Sequence, residues 1–269
     1  MNFGIIIIGD EILSGRREDK HLAKTIALFA ERGLQLAYAD YVGDSPERIT
    51  ATLKRAFASG DVVFSFGGIG ATPDDHTRQC AAAALQRPLV LHPQAKVLIQ
   101  ERMQDIAREK GLPYEPDRDD NLHRLNMGAF PEGAGIIPNP YNKIPGFSCA
   151  GEGEGLVHFV PGFPVLAWPM VESVLDTKYM AHFRRDAWQE NSIIVFGAME
   201  ASLTPLMERI EEAHAVKVFS LPSVDHPEYG RHIELGVKGE PAVVQVAYVE
   251  LVEALRAMQI PLGPEVVRK

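Results

Sequence analysis

The chain has 269 residues, 46% hydrophobic and 23% charged. This is globular composition for one large domain or a large and a small one, and it excludes disorder, collagen-like repeats and coiled coil as descriptions of the whole. Its 36 acidic against 27 basic side chains give a formal charge of -9, and no run of Lys and Arg exceeds two, so neither nucleic acid nor an anionic membrane is an expected partner. Cys80 and Cys149 are far apart and form no CxxC, which argues against a disulfide scaffold or cysteine zinc site and for a reducing, cytoplasmic setting.

Residues 5–8 are four isoleucines preceded by Phe3, too short for a signal h-region or a membrane span, and they read as a strand buried on both faces. After Gly9-Asp10-Glu11, Leu22, Ile26 and Phe29 recur at helical spacing as far as Gly33, a natural stop. Residues 35–42 predict a second strand. Ser45 as cap and Pro46 at the first helical position open a second helix, with Ile49, Leu53, Ala56 and Phe57 on its buried side. Residues 61–66 predict a third strand, ending in Gly67-Gly68-Ile69-Gly70. Three alternations of buried strand and amphipathic helix predict an α/β fold with a largely parallel sheet covered on both faces.

A helix over 93–110, an irregular polar stretch over 111–124, and short strands at 136–137, 147–148 and 156–160 follow. Gly151-Glu152-Gly153-Glu154-Gly155 reads as a flexible hairpin tip, and 165–183 as a helix that carries Pro169 in its first turns. Charges then gather at Lys178 and at Arg184, Arg185 and Asp186, and a domain boundary is placed near residue 185. Strands at 193–196, 216–221 and 231–237 with helices at 203–213 and 242–258 predict a small α+β, split-βαβ layer. The domains expected are 1–185 and 190–265.

The segment richest in chemistry is Gly67-Gly68-Ile69-Gly70-Ala71-Thr72-Pro73-Asp74-Asp75-His76-Thr77. It lies at the carboxyl edge of a parallel sheet, where backbone N–H groups and a helix start favour a phosphate. No Gly-Lys-Ser/Thr follows, so it is not a Walker loop, and Pro73 stands where GxGxxG needs its third glycine. Asp74 and Asp75 would repel a bare phosphate, which invites a divalent cation. The plainer alternative is a tight turn in which Asp75 or Thr77 caps the helix. Gly9-Asp10-Glu11 and Gly43-Asp44 end the first and second strands, so a parallel sheet brings their acids to the same edge. Asn139, Asn142 and Lys143, in a proline-rich turn, offer donors to a phosphate or base, and Pro161-Gly162-Phe163-Pro164 forms a second such turn. Histidines 76, 92, 123, 158, 182, 214, 226 and 232 show no HExxH and no close pair on a helix, against a histidine zinc site. Asp225, His226 and His232 could form a site in the small layer, with solvated hairpin residues as the stronger reading.

Gly9-Asp10-Glu11-Ile12-Leu13-Ser14-Gly15, Val42-Gly43-Asp44, the 67–77 loop and Pro161-Gly162-Phe163-Pro164, in that order and spacing, resemble the amino-terminal domain of the competence/damage-inducible protein A (CinA) family. That domain is similar in turn to the molybdopterin-binding domain of molybdenum-cofactor biosynthesis proteins. The resemblance covers residues 1–183, and the family's second, KH-like layer resembles 190–260. The nicotinamide-nucleotide amidase domain of longer members has no counterpart in this sequence.

The resemblance implies a three-layer αβα domain that binds a pterin or adenine dinucleotide. It also implies hydrolysis of a pyrophosphate bond, as in ADP-ribose or FAD, with Mg²⁺, Mn²⁺ or Co²⁺. Asp44 and Asp75 would be catalytic and hold the metal, with Asp74 or Glu11 orienting water as base. Gly67, Gly68, Gly70 and Thr72 would hold phosphate. Thr77, Asp10, Ser14, Asn139, Asn142, Lys143, Pro145, Gly146, Pro161 and Gly162 would complete the ligand site. The alternatives are molybdopterin binding with adenylyl transfer, and a non-catalytic pterin or nucleotide-binding module. Two departures bear on the site: Asn142 stands where the family's Asn-x-x-Gly-x-Ala-Pro-Gly has glycine, and Val165-Leu166 replace the acid that often follows Pro-Gly-x-Pro. The small layer lacks a GXXG loop and its acids outnumber its bases, so a protein contact is expected of it rather than RNA. Too small to bury much surface alone, it suggests a homodimer.

Overall fold

Four isoleucines in a row leave a strand no polar side, and β1 (Phe3–Ile8) is buried along its whole length. The computed structural model describes residues 1–183 and 189–268. Contacts divide the chain into two units, Met1–Phe183 and Arg184–Lys269. The boundary expected near residue 185, with Arg184, Arg185 and Asp186, falls outside the described residues.

In the first unit β1 leads through α1 (Asp10–Leu13) and α2 (His21–Ala30) to β2 (Leu36–Val42), and α3 (Pro46–Ala58) leads on to β3 (Val62–Phe66). Then come α4 (Thr77–Leu85), β4 (Leu89–Leu91), α5 (Pro93–Glu109), α6 (Asp119–Leu125), β5 (Ala129–Pro131), β6 (Gly135–Ile137), β7 (Gly146–Ala150), β8 (Leu156–Val160) and α7 (Pro164–Lys178). Six strands form one sheet in the order β2-β1-β3-β8-β7-β6. The first four are parallel, and β7 runs against both β8 and β6.

Strand alternation divides β1 between two cores. Ile5 and Ile7 pack with Leu28, Phe29, Ala167 and Met170 of α2 and α7, and Ile6 and Ile8 with Ile49, Leu53 and Ala81 of α3 and α4. The result is the expected three-layer αβα unit with a mostly parallel sheet. Helix α3 starts as its sequence predicts, Ser45 accepting from the Arg48 N–H with Pro46 at the first helical position.

Several elements depart from expectation. The stretch over 111–124, read as irregular, contains most of α6, a short helix with few apolar side chains. Asp119 and Asp120 stand at its positive end and His123 and Arg124 at its negative end, so charge rather than hydrophobic period supports it. Strands β4 and β5 pair as a separate arm. Helix α7 stops at Lys178 and a 3₁₀ turn, Met180–His182, follows. The 151–155 tip is no free hairpin: the Glu152 N–H donates to Phe57 O at 2.7 Å, and a side chain at Gly151 would meet the Phe57 carbonyl.

The second unit holds β9 (Gln189–Val195), α8 (Glu200–Ala213), β10 (Val216–His226), β11 (Gly230–Gly239), α9 (Pro241–Ala257) and β12 (Leu262–Arg268), its sheet ordered β10-β11-β9-β12. β11 lies antiparallel between β9 and β10, which is the split-βαβ arrangement. The strand β12 was not expected; Gly263 and Pro264 interrupt its apolar pattern. Ile193, Val195, Leu235 and Val237 face Leu203, Ile210, Val244 and Leu251 of the two helices in a core of their own.

Candidate functional site

Parallel strands end at one edge, so β1, β2, β3 and β8 deliver Gly9-Asp10, Gly43-Asp44, Gly67-Gly68 and Pro161-Gly162 to the same rim. Because β7 runs the other way, its first residue Gly146 and the 138–145 turn also reach that rim. β1 continues into the helix layer of α2 and β3 into that of α4, so the chain departs to opposite faces from two adjacent strands. That divergence opens the crevice in which open α/β sheets bind ligands.

Asp10 and Asp44 are clasped reciprocally. The Asp10 N–H donates to Asp44 Oδ2 at 2.9 Å and the Asp44 N–H to Asp10 Oδ1 at 3.2 Å. A side chain at Gly43 would collide with the Asp10 carboxylate, so the glycine keeps the clasp closed. Burial raises the pKa of Asp44, the Asp10 N–H opposes that rise, and the charges of Asp10, Glu11 and Asp74 add to it.

In the β3 loop each glycine answers a different neighbour. Gly67 and Gly68 have φ of +99° and +67°, and side chains there would strike the Ile8 carbonyl and the Thr77 hydroxyl; one at Gly70 would strike the Asp75 carboxylate. The Thr72 N–H and hydroxyl both donate to Asp75 Oδ2, at 2.8 and 2.5 Å. Thr77 is buried and donates to Gly67 O at 3.1 Å. Neither Asp75 nor Thr77 caps α4: His76 is its N-cap, with no side-chain cap bond.

Arg78, only 3% exposed, reaches back under the loop, its Nη1 donating to the carbonyls of Ile69 and Gly70. Burial lowers its pKa and the Asp75 charge opposes that shift, yet a guanidinium this far from neutrality stays charged. A cation thus sits behind the loop, a feature that the spacing of glycines and acids did not announce.

The remaining expected contacts are distributed. Glu11 and Ser14 lie in and just after α1, where Ser14 is exposed and Glu11 pairs with Arg17 at 3.5 Å. Asn139 Nδ2 donates to Asn142 Oδ1 and Ile144 O, and Asn139 Oδ1 accepts from the Tyr141 N–H, so both asparagines shape the turn itself. Lys143, at φ +65°, pairs with Asp105 of α5 at 2.6 Å and Glu101 at 3.7 Å. Its ammonium faces α5, not the crevice. Pro145 and Gly146 are buried, and Gly146 has no room for a side chain against the Phe159 carbonyl. Pro161 leads into Gly162, which packs close to the Gly67 Cα.

Two cavities flank the β3 loop. One, of about 300 Å³, lies between the ends of β1 and β3, with Ile8, Ile12, Phe66, His21 and Phe163 in its wall. The other, of about 450 Å³, is bounded by Thr72, Asp75, His76, Arg78 and His123, and His123 Nε2 donates to Ala71 O at 3.0 Å. Sequence reasoning passed over His21, Arg17 and Phe66; the run of charges over 16–20 directly after the glycine-acid turn was the available signal.

Among the described residues no three His, Cys, Asp or Glu side chains gather closely enough to form a metal site by themselves. The donors nevertheless suit a hard cation. The hydrogen bonds above occupy one oxygen each of Asp44 and Asp75, and Mg²⁺ is commonly held by one or two carboxylates together with water and substrate phosphates.

The family described as the probable molybdopterin binding domain matches residues 4–182. The chain belongs to this family. A CinA-like protein of Mycobacterium tuberculosis is 28% identical over 261 residues, 94% of this chain and 58% of that protein. A CinA-like protein of Gloeobacter violaceus is 28% identical over 77% of this chain and 46% of its own length. The chain therefore spans about half the length of these relatives. The crystal structure of CinA from Thermoplasma acidophilum, described as of unknown function, matches at 27% identity with a TM-score of 0.54, covering 65% of this chain and 96% of that one. The resemblance to CinA-like proteins expected from the motifs, and to the molybdopterin-binding domain, is borne out. No helix among the described residues is long and apolar enough to cross a membrane.

Proposed function

We propose that the first unit is a divalent-metal-dependent nucleotide pyrophosphatase that cleaves an adenine dinucleotide-type substrate such as ADP-ribose or FAD. The observation that carries this reading is the meeting, at one sheet edge, of the clasped Asp10–Asp44 pair with a glycine loop stiffened by Asp75. In this reading the N–H groups of the 67–72 loop bind phosphate, with the buried Arg78 guanidinium behind them offsetting part of its charge. Asp44 and Asp75 would hold the cation, which when bound supplies Lewis-acid neutralisation of the phosphates. Asp74 or Glu11 takes the proton of the attacking water as its oxygen bonds to phosphorus, and the bridging oxygen leaves with the second phosphate. Incubation with ADP-ribose, FAD or NAD and Mg²⁺, Mn²⁺ or Co²⁺ is expected to release AMP, and Asp75→Ala to abolish release. No turnover above the Asp75→Ala background with any metal sinks the reading.

The family description favours a second reading, molybdopterin binding, which we extend to adenylyl transfer. It needs the same loop, acids and metal and differs in the acceptor. Retention of molybdopterin in preference to ADP-ribose, with an adenylated product, selects it. Tight retention of either ligand without any product selects a binding module.

A further inference from the structure

We infer that His21 is a positioning residue of the site: from the helix layer it holds the turn after β8 against the glycine loop after β3, and so sets the spacing in which that loop presents its N–H groups. The consequence for phosphate rests on the phosphate-binding reading above; the strut itself rests on the contacts of one side chain.

Strands β3 and β8 are parallel neighbours with Phe66 opposite Val160, so the chain leaves both at the same rim. There the Gly67 N–H donates to Val160 O at 3.1 Å, and Gly162 packs so near that an added Cβ would stand 3.3 Å from the Gly67 Cα. A shift of Gly162 is therefore felt at the first residue of the glycine loop. The loop's other flank is tied to α4, where the Thr77 N–H donates to Gly68 O at 3.0 Å and the Thr77 hydroxyl to Gly67 O at 3.1 Å.

His21 meets both loops at once. Its ring lies on Phe66, centroids 4.4 Å apart and planes at 29°, and Phe66 is bonded directly to Gly67. Its Nε2 stands 3.0 Å from Gly162 O; a carbonyl only accepts, so Nε2 carries the proton and donates. The strut is itself anchored. Asp19 accepts from the His21 N–H at 2.8 Å, the Leu22 N–H at 3.2 Å and the Tyr41 hydroxyl of β2 at 2.7 Å, and the Trp168 ring of α7 stands edge-on to the imidazole, centroids 6.5 Å apart.

Packing alone does not ask for a histidine here. The residue is 4% exposed, and with the proton on Nε2 the Nδ1 lone pair is buried without a hydrogen-bond partner among the described residues, which is costly. Burial lowers the pKa of the ring, with the Gly162 bond and the Asp19 charge opposing. A phenylalanine would fill the space beside Phe66 and Trp168 with no buried acceptor. What the imidazole adds is the Nε2–H, and its bond ends on the turn beside the glycine loop.

Two substitutions separate that bond from the packing. His21→Phe keeps a ring on Phe66 and removes the donor, while His21→Gln removes the ring and carries an amide N–H to the reach of Nε2; His21→Leu takes the place of His21→Phe if the latter does not fold. Calorimetric titration of the full chain with inorganic pyrophosphate and Mg²⁺ is expected to show His21→Phe about tenfold weaker than wild type and His21→Gln within about twofold of it. Thermal melting is expected to rank them the other way, His21→Phe near wild type and His21→Gln below it. Amide hydrogen exchange across 67–70 and 160–164 should quicken in His21→Phe and not in His21→Gln. Equal losses in the two variants, no loss in either, or pyrophosphate binding that follows the melting order overturns the inference. Pyrophosphate binding without hydrolysis of any dinucleotide removes the pyrophosphatase reading and leaves the positioning role standing. Hydrolysis to which both variants are indifferent does the reverse, and a wild-type chain that neither binds pyrophosphate nor hydrolyses a dinucleotide removes both.

Discussion

His158 is fully buried on β8 between Ser148 Oγ at 2.7 Å and Tyr179 OH at 2.6 Å. In the sequence it is one histidine among several without a ligand pattern; in the fold it joins β7, β8 and the segment after α7. Burial drives its pKa down to about 3, far below the 6.5 of an exposed imidazole, so it folds as a neutral ring. Above pH 6.5 the group is neutral in both states and contributes no pH dependence. Between 6.5 and about 3 the unfolded chain takes up a proton that the folded chain does not, and stability falls by up to about 1.4 kcal/mol per pH unit. Urea unfolding between pH 4 and 7 is expected to show this slope and His158→Gln to reduce it, with His21 contributing in the same direction. An unchanged slope in the variant would place the titration elsewhere. Tyr179→Phe, which removes a hydroxyl hydrogen bonded to a buried nitrogen, is expected to cost about 1–3 kcal/mol at neutral pH.

At the scale of elements, the glycine loops separate two effects that look alike in a sequence. Gly68 and Gly153 both adopt positive φ, +67° and +57°. A side chain at Gly68 meets the Thr77 hydroxyl, and one at Gly153 meets open space. Gly153→Ala is therefore expected to cost about 1 kcal/mol, the conformational term alone. Gly68→Ala adds a steric cost of about 1–3 kcal/mol and displaces Thr77, readable as a larger drop in the urea midpoint. Equal losses would refute the packing account.

How legible an element was depended on where its stabilisation lies. Residues 3–8 and 62–66 were readable because an uninterrupted apolar strand has few alternatives. The arm β4–β5 was not, since its strands are three residues long, and α6 was not, since charge supports it in place of an apolar stripe. For the site, strand ends named Asp10, Asp44 and the glycine loop, because a parallel sheet aligns them. Spacing carries no information on side-chain direction, which is why the turn of Lys143 toward α5, the asparagines' bonds within their own loop, and Arg78 beneath the glycine loop emerged only in three dimensions.

For the whole molecule, separate cores lead us to propose the expected division into two domains. A chain ending at Phe183 keeps both cores of the first unit, and we expect it to unfold cooperatively by heat; a broad, non-cooperative transition would tie its stability to the second unit. We further propose a homodimer with one complete acidic site per chain, since Asp10, Asp44 and Asp75 follow successive strands of one sheet. Light scattering is expected to return twice 29.6 kDa; a monomer at micromolar concentration refutes the dimer and leaves the site intact. An RNA gel shift with the second unit is expected to be negative.

The pairing of β3 with β8 also bears on how the protein comes into being. About 90 residues separate the two strands in the chain, and at ribosomal rates of about 5–20 residues per second β8 is made roughly 5–20 s after β3. During that interval β1, β2 and β3 are already available, and the outer side of Val62–Phe66, wholly apolar but for Ser65, stands as an open sheet edge, the kind of surface on which nascent chains aggregate. The same strand leads into the 67–77 loop, so the last parallel strand to be synthesised closes the vulnerable edge and brings Pro161-Gly162 beside that loop in one event. Premature release of the chain before residue 156 would thus yield a sticky fragment that lacks β8 and the Pro161-Gly162 turn, and a chaperone that shields this edge would protect solubility until β8 is made.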